Sequence, residues 1–261
     1  MRGSCTRSWW LFPPQTREVQ VDEKWAFVAK KEKHCDPADA DCGDCWDHIA
    51  FDPESRLVLS VVPGKRTAAK AEQLIREVHQ RTGGRTDLLL TSDAYPPYQE
   101  AIAEVYGQEP QAEELRAEDI EPTMPSDLCY ATVQKQRAQG RVVAVVRTVV
   151  FGTLALLELL LERSTVSHTI NTAFIERNNG TDRRRNGRKH RKTYGFSKDW
   201  LVHEAVTYFV SYSYNYCWSV RTLRIKEGGD KWRARSPAMV AGLADHVWSL
   251  REWLTCPAKL C

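Results

Sequence analysis

The stretch "TDLLLTSD", Thr86 to Asp93, constrains the fold more than any other part of this 261-residue chain. Its three consecutive leucines leave no polar face, which suits a central strand buried on both sides. An amphipathic helical pattern, "TAAKAEQLIREVHQRTGG", precedes it, with Thr67 placed to cap the start and Gly83-Gly84 to stop it. A second helical pattern, "AYPPYQEAIAEVYG", opens on prolines and follows. A buried strand between two helices calls for a sheet with helices packed on it.

The residues upstream supply more of that sheet. "EVQVDEKWAFVAKK" alternates, with Val19, Val21, Trp25 and Phe27 on one face, and reads as a strand. "WDHIAFD", the turn "PESR" and "LVLSVVPG" read as a hairpin of two more. Up to Gly107 the order is three strands, helix, strand, helix. The first three strands are expected to be antiparallel neighbours, the fourth to follow a helical crossover. The fold class is therefore α/β with a mixed sheet, and the order is that of the ribonuclease-H-like fold.

Beyond Gly107 lies an acidic, proline-bearing segment, Gln108 to Asp127, read as an exposed connection. "LCYATVQKQ" and "RVVAVVRTVVF" return as strands, and "TLALLELLLERS" reads as a buried helix. A long helix is predicted from Asp199 to about Trp218. Its aromatic residues Tyr208, Phe209, Tyr212, Tyr214, Tyr216 and Trp218 could stack on bases, but their helical spacing favours core packing. The resulting division is an atypical N-terminal segment over 1–18, a main domain over 19–218 and a C-terminal helical tail over 219–261.

Charge is segregated. Glu100 to Glu121 holds eight acidic residues against Arg116 alone, whereas Arg177 to Lys192 holds eight arginines and lysines offset only by Asp182. That asymmetry suits a polyanion partner. No membrane span is predicted: the most apolar stretch, "VVAVVRTVVFGTLALLELLLE", is broken by Arg147 and Glu158 and falls short of the ~20 residues a span needs. Eight unevenly spaced cysteines do not form a dense disulfide scaffold, so a reducing, cytoplasmic setting is expected. His34, Cys35, Cys42, Cys45 and His48 include a Cys-x-x-Cys able to hold zinc, but the second half of a paired finger is missing. Free thiols in a polar connection are the alternative.

Three carboxylates stand at chemically useful places. Asp93 ends the "LLLT" strand, where open α/β sheets place their sites. Asp22 lies in the first strand, where alternation does not separate it from Glu23. Glu176 opens a helical segment. Carboxylates brought together suit a hard divalent cation such as Mg²⁺. A pair of such ions can activate a water or hydroxyl and stabilise the leaving oxygen of a phosphodiester. If the segment after Glu176 is helical, Arg177, Arg184, Arg188 and Arg191 share a stripe beside it. Gly180 and Gly187 weaken that helix.

The blocks "VQVDEKWAFVAKK", "GDCWDHIAFDPESRLVLSVVPGKRT", "TSDAYPPY", "INTAFIERNNGTDRRRNGRKHRKTYGFSKDW" and "SPAMVAGLADHVWSL" resemble the catalytic region of bacterial insertion-sequence transposases with an Asp-Asp-Glu triad, especially the first-described insertion-sequence family. The resemblance runs from about Glu18 to Trp253. It implies a ribonuclease-H-like core in which Asp22, rather than Glu23, joins Asp93 and Glu176 as catalytic residues and ligands of Mg²⁺, with Mn²⁺ as substitute. The implied activity is cleavage of a DNA strand by water, then attack of the freed 3′-hydroxyl on target DNA, during transposition. Its partners would be DNA, as element ends and as target, and a homo-oligomer could assemble there. The expected phosphate contacts are Arg177, Arg183, Arg184, Arg185, Arg188, Lys189, Arg191 and Lys192. Two alternatives stay open: a nuclease of the same fold without strand transfer, and a non-catalytic DNA-binding remnant. Only 21 residues precede Asp22, so the family's N-terminal recognition domain is expected to be missing. Recognition of the ends would then fall to a separate polypeptide.

Overall fold

The computed structural model describes residues 15–36, 38–39, 41–108 and 123–256. The N-terminal stretch through Pro14 and the acidic connection from Glu109 to Pro122 lie outside these residues. Six strands form one mixed sheet: β1 (Glu18–Val28), β2 (Gly43–Asp52), β3 (Leu57–Gly64), β4 (Leu89–Asp93), β5 (Cys129–Ala138) and β6 (Arg141–Phe151). Their order across the sheet is β3-β2-β1-β4-β5-β6. β1 and β5 flank β4 in parallel, whereas β1–β2, β2–β3 and β5–β6 are antiparallel. The first five strands have the ribonuclease-H-like arrangement expected from their order.

The three-leucine run explains the layering. Leu88 and Leu90 point to one face, with Val19, Val21, Leu57 and Leu59, under α1 (Ala68–Arg81) and α2 (Pro96–Tyr106). Leu89 points to the other face and packs with Cys129, Ala131 and Val133 under α3 (Leu154–Arg163). Farther along that second face, α4 (Ala173–Arg185) and α5 (Trp200–Cys217) bring Ile175, Tyr212, Tyr214 and Tyr216 onto Ile49, Phe51, Val58 and Val61. The tyrosines of α5 thus serve the core. Thr67 and Asp199 cap α1 and α5 as their sequences predict.

After α5 come a small hairpin, β7 (Ile225–Gly228) with β8 (Lys231–Arg233), and the short helices α6 (Pro237–Val240) and α7 (Leu250–Thr255). Ala238 and Trp253 of the last two join the tyrosine cluster. The leucine-rich helix α3 departs from expectation. Only Leu157 and Leu160 are buried, and Leu154 is 69% exposed. It covers the sheet with one stripe, and nothing among the described residues covers the rest.

β1 sets the position of α4. Gln20, Asp22 and Lys24 alternate along the strand and each meets α4 or its first turn. Gln20 Oε1 accepts from the Ile175 amide at 3.0 Å, Asn179 donates to Asp22 at 2.7 Å, and Lys24 pairs with Asp182. The strand period of two is thus matched to a helical period of three to four, which fixes the rotation and register of α4. Lys24 also lies 3.3 Å from Asp47 on β2, and Asp47 pairs with Lys189 from the turn after α4. Lys24, Asp47 and Lys189 are all buried.

Removing one member of a buried ionic group leaves its partners uncompensated in low dielectric, at a cost of about 3–5 kcal/mol. Asp47→Asn, which strands the Lys189 ammonium and leaves Lys24 with Asp182 alone, is expected to lose stability of that order in urea unfolding. A loss below about 1 kcal/mol, the scale of exposed pairs, would show that the network is not what holds α4.

Candidate active site

β1 and β4 run parallel, and their register ends with Val21 opposite Ser92. The next residues on each strand are Asp22 and Asp93, so the two carboxylates emerge side by side at the carboxyl end of β4, while β1 runs on to Val28. Asp22, Glu23 and Asp93 each offer a carboxylate oxygen within 4.8 Å of the others. Glu23, which alternation left as a rival to Asp22, is therefore in the cluster as well. Asp22 Oδ1 folds back to accept the Glu23 amide at 2.9 Å, and its Oδ2 accepts from Asn179. Glu23 Oε2 accepts from Arg66 at 3.3 Å.

Glu176 sits in the first turn of α4, and its charge is felt by both aspartates. Its carboxylate is turned toward Lys135 of β5 and accepts from Thr172 Oγ1 at 2.6 Å. Asp22, Asp93 and Glu23 are thus in direct company, with Glu176 held at the rim by Lys135.

The electrostatics describe a site short of positive charge at its centre. Burial and the neighbouring Asp93 push Asp22 up to about 6. Burial and Asp93 push Glu23 up to about 7, against the pull of Arg66. Burial raises Asp93 too. Burial alone would raise Glu176, but Lys135 and Thr172 outweigh it and hold it below the usual carboxylate range. Asp93 Oδ1 and Glu23 Oε1 are buried and make no hydrogen bond. Unpartnered carboxylate oxygens without competing nitrogen or sulfur donors fit a hard divalent cation of the Mg²⁺ or Mn²⁺ type.

The basic run divides. Arg177, Arg184, Arg191 and Lys192 are exposed, and Arg183, Arg185 and Arg188 are half-buried. Lys189 does not belong with them as a phosphate contact: it is buried, paired to Asp47 and 2.5 Å from Thr207 Oγ1. Arg185 stacks 3.8 Å from the Tyr214 ring centre. The stripe expected from Arg177 to Arg191 is also interrupted. α4 ends at Arg185, Asn186 is extended, and a short 3₁₀ turn spans Gly187–Lys189. The cause is the core itself, because Lys189 must turn inward to reach Asp47.

The cysteines and histidines of the "HCDPADADCGDC" region do not converge. Cys35 and Cys42 form a disulfide, while Cys45 is buried on β2 as a free thiol that burial pushes up to about 12. His34 is exposed, and His48 is buried beside Tyr98. Cys45, Asp47 and His203 do lie together. The ammonium groups of Lys24 and Lys189 already occupy Asp47 and oppose any further cation there.

Several participants were not singled out from the sequence: Arg66, Lys135 and Asn179. Lys135 had one signal, because no acidic residue lies between Asp127 and Glu158 while four basic ones do. Among the described residues no helix is long and apolar enough to cross a membrane.

Comparison with known protein families gives no match, and neither does comparison with curated proteins. Among solved structures, the chain is similar to the Mos1 strand transfer complex, with 19% identity over 34% of this chain and 31% of that one, at a TM-score of 0.24. It is similar to the Mos1 transposase paired-end complex with the left transposon end at 19% identity, over 34% and 33% of the two chains, with a TM-score of 0.23. The match spans about a third of either Mos1 chain. The ribonuclease-H-like fold is carried by the strand order and directions, not by this likeness.

Raised carboxyl groups make a pH prediction. Asp22 and Glu23 keep protons in the fold at a pH where the unfolded chain has lost them. The folded state then binds more protons, so their contribution to stability is full below about pH 4 and is lost as pH rises to about 7. Glu23→Gln removes one such group. Its urea midpoint should fall less than that of the wild type between pH 5 and pH 8. Parallel pH profiles would contradict the raised Glu23.

Proposed function

We propose that the chain is the catalytic domain of an Asp-Asp-Glu transposase, cleaving DNA strands and transferring them with the help of Mg²⁺ or Mn²⁺. The observation that carries it is the meeting of Asp22 and Asp93 where the parallel pairing of β1 with β4 ends, with Glu176 brought to their rim by α4. The family resemblance of the blocks around these residues points the same way.

Asp22 and Asp93 would hold the ion or ions, with Glu176 completing the set and Glu23 adjoining it. Bound there, a divalent pair would lower the pKa of the attacking water or hydroxyl and neutralise the leaving oxygen. The remaining work belongs to the chain. Asn179 fixes the Asp22 carboxylate by its hydrogen bond. Arg66, stacked 4.0 Å from the Tyr95 ring centre, holds a cation at the edge of the acidic cluster, where a phosphate would approach. Lys135 does the same on the Glu176 side. The exposed Arg177, Arg184, Arg191 and Lys192 would grip the backbone, contacts that position DNA without reading it.

Asp93→Asn keeps the shape of the side chain and removes its charge. With Mg²⁺ or Mn²⁺ and supercoiled plasmid, the variant should lose nicking by at least roughly 10²-fold, the scale of losing one preorganised electrostatic group, while DNA binding persists. Nicking at the wild-type rate would refute the assignment. Joining of a pre-cut end to plasmid by the wild type separates a transposase from a nuclease.

Replacing Arg177, Arg184 and Arg191 with Ala should weaken binding to all duplexes alike. The slope of log affinity against log salt should flatten by roughly 0.9 per lost phosphate contact. Lys189→Ala should instead lower the urea midpoint, as befits a buried ion pair. An unchanged salt slope in the triple variant would show those arginines to be a solvated surface.

A further inference from the structure

β5 and β6 outrun the layers that cover the rest of the sheet. Every residue from Gln134 to Thr148 is exposed, so the two strands stand out as a ribbon anchored at its base where Lys135 meets Glu176. Its tip is a two-residue turn in which Gln139 (φ 49°) and Gly140 (φ 77°) are both left-handed. Such a turn matches the natural twist of the strands and makes a firm hairpin. At about 3.4 Å per residue the ladder from Gln134 to Ala138 extends roughly 17 Å.

Its composition is one-sided. Lys135, Arg137, Arg141 and Arg147 carry four positive charges, and no acidic residue lies between Asp127 and Glu158. Between them Val142, Val143, Val145 and Val146 are 39–63% exposed on the edge strand. An exposed apolar edge of this length is normally covered by a partner.

We infer that the ribbon enters the major groove of duplex DNA and reads base sequence there. This rests on the proposed function as a DNA-acting enzyme. A major groove about 12 Å wide admits a two-stranded ribbon, and the unbroken positive charge complements the phosphates on either side. Lys135 pairs with Glu176 and Arg137 acts on the same carboxylate, which sets both toward α4. Alternation sets Gln134 and Gln136 on the opposite face, and a bulge lies between Gln136 and Arg137. Arginine can read guanine, glutamine can read adenine, and valine methyl groups can meet the thymine methyl. The base of the ribbon abuts Glu176, so a duplex held in this way passes beside the carboxylate cluster. A second copy is the weaker occupant. Antiparallel pairing of two β6 edges centred on Ala144 would set each copy's Arg141 opposite the other's Arg147, and like charges opposed across strands destabilise.

The test is selection from a random duplex library by the full chain, followed by fluorescence anisotropy at fixed salt. The wild type should enrich a sequence and prefer it over scrambled duplex by at least about a hundredfold, toward the specific range. The double variant Arg137→Ala, Arg141→Ala should lose at least about tenfold of that preference with an unchanged urea midpoint. Asp93→Asn should keep the preference, which separates failure of the ribbon from failure of the metal centre. No enriched sequence, or the same preference in the double variant, would overturn the inference. So would a concentration-dependent dimer that Val143→Lys abolishes while DNA preference is unaltered, since the valine edge would then belong to a second copy.

Discussion

The buried pairing of Lys24 with Asp182 and Asp47, extended by Lys189, is the interaction on which the rest of the arrangement depends. Four charges withdrawn from water are tolerable only when each is met, and here the meeting points lie on β1, β2, α4 and the turn beyond it. Burial alone would raise Asp47, but the ammonium groups of Lys189 and Lys24 overcome it and hold the carboxyl well below its ordinary range. A helix fastened this way cannot rotate or slide without stranding a charge. Because Asn179 and Glu176 lie on the same helix, the network sets where Asp22 finds its hydrogen bond and where Glu176 stands at the rim of the cluster.

The centre and its surroundings are electrically opposite. Carboxylates from mid-β1 and from the end of β4 crowd until burial and mutual repulsion raise them, while Arg66, Lys135 and the exposed arginines of α4 form a positive rim. Such a pattern suits a polyanion laid over a cation site: the rim meets phosphates, and the centre takes metal. One helix contributes to both parts, since α4 begins with Glu176 and ends with Arg183, Arg184 and Arg185.

Much of the fold is legible in the sequence because its local signals agree with one another. The three leucines before Thr91 require burial on both faces, Thr67 and Asp199 are caps with side-chain acceptors in place, and "PESR" closes the β2–β3 hairpin. The position of Asp93 is also legible, because it closes a buried strand at the carboxyl end, where open α/β sheets place their sites. What escaped is long-range. The basic run counts Lys189 as one more surface charge until Asp47, far away in the chain, draws it inside. Alternation does not choose between Asp22 and Glu23, and no choice is needed: β1 stops pairing with β4 after Val21 and both acids reach the cluster. The leucines of α3 predict full burial, but only Leu157 and Leu160 are buried against the sheet, and Leu154 and Leu159 are exposed.

The most direct test of a shared carboxylate metal centre is a crystal structure of the protein soaked in Mn²⁺, read by anomalous scattering. Density bridging Asp22 and Asp93, with the Glu176 carboxylate turned from Lys135 toward it, is the predicted result. Manganese bound elsewhere, or none at these carboxylates at a concentration that supports nicking, would contradict the metal centre on which the proposed chemistry stands.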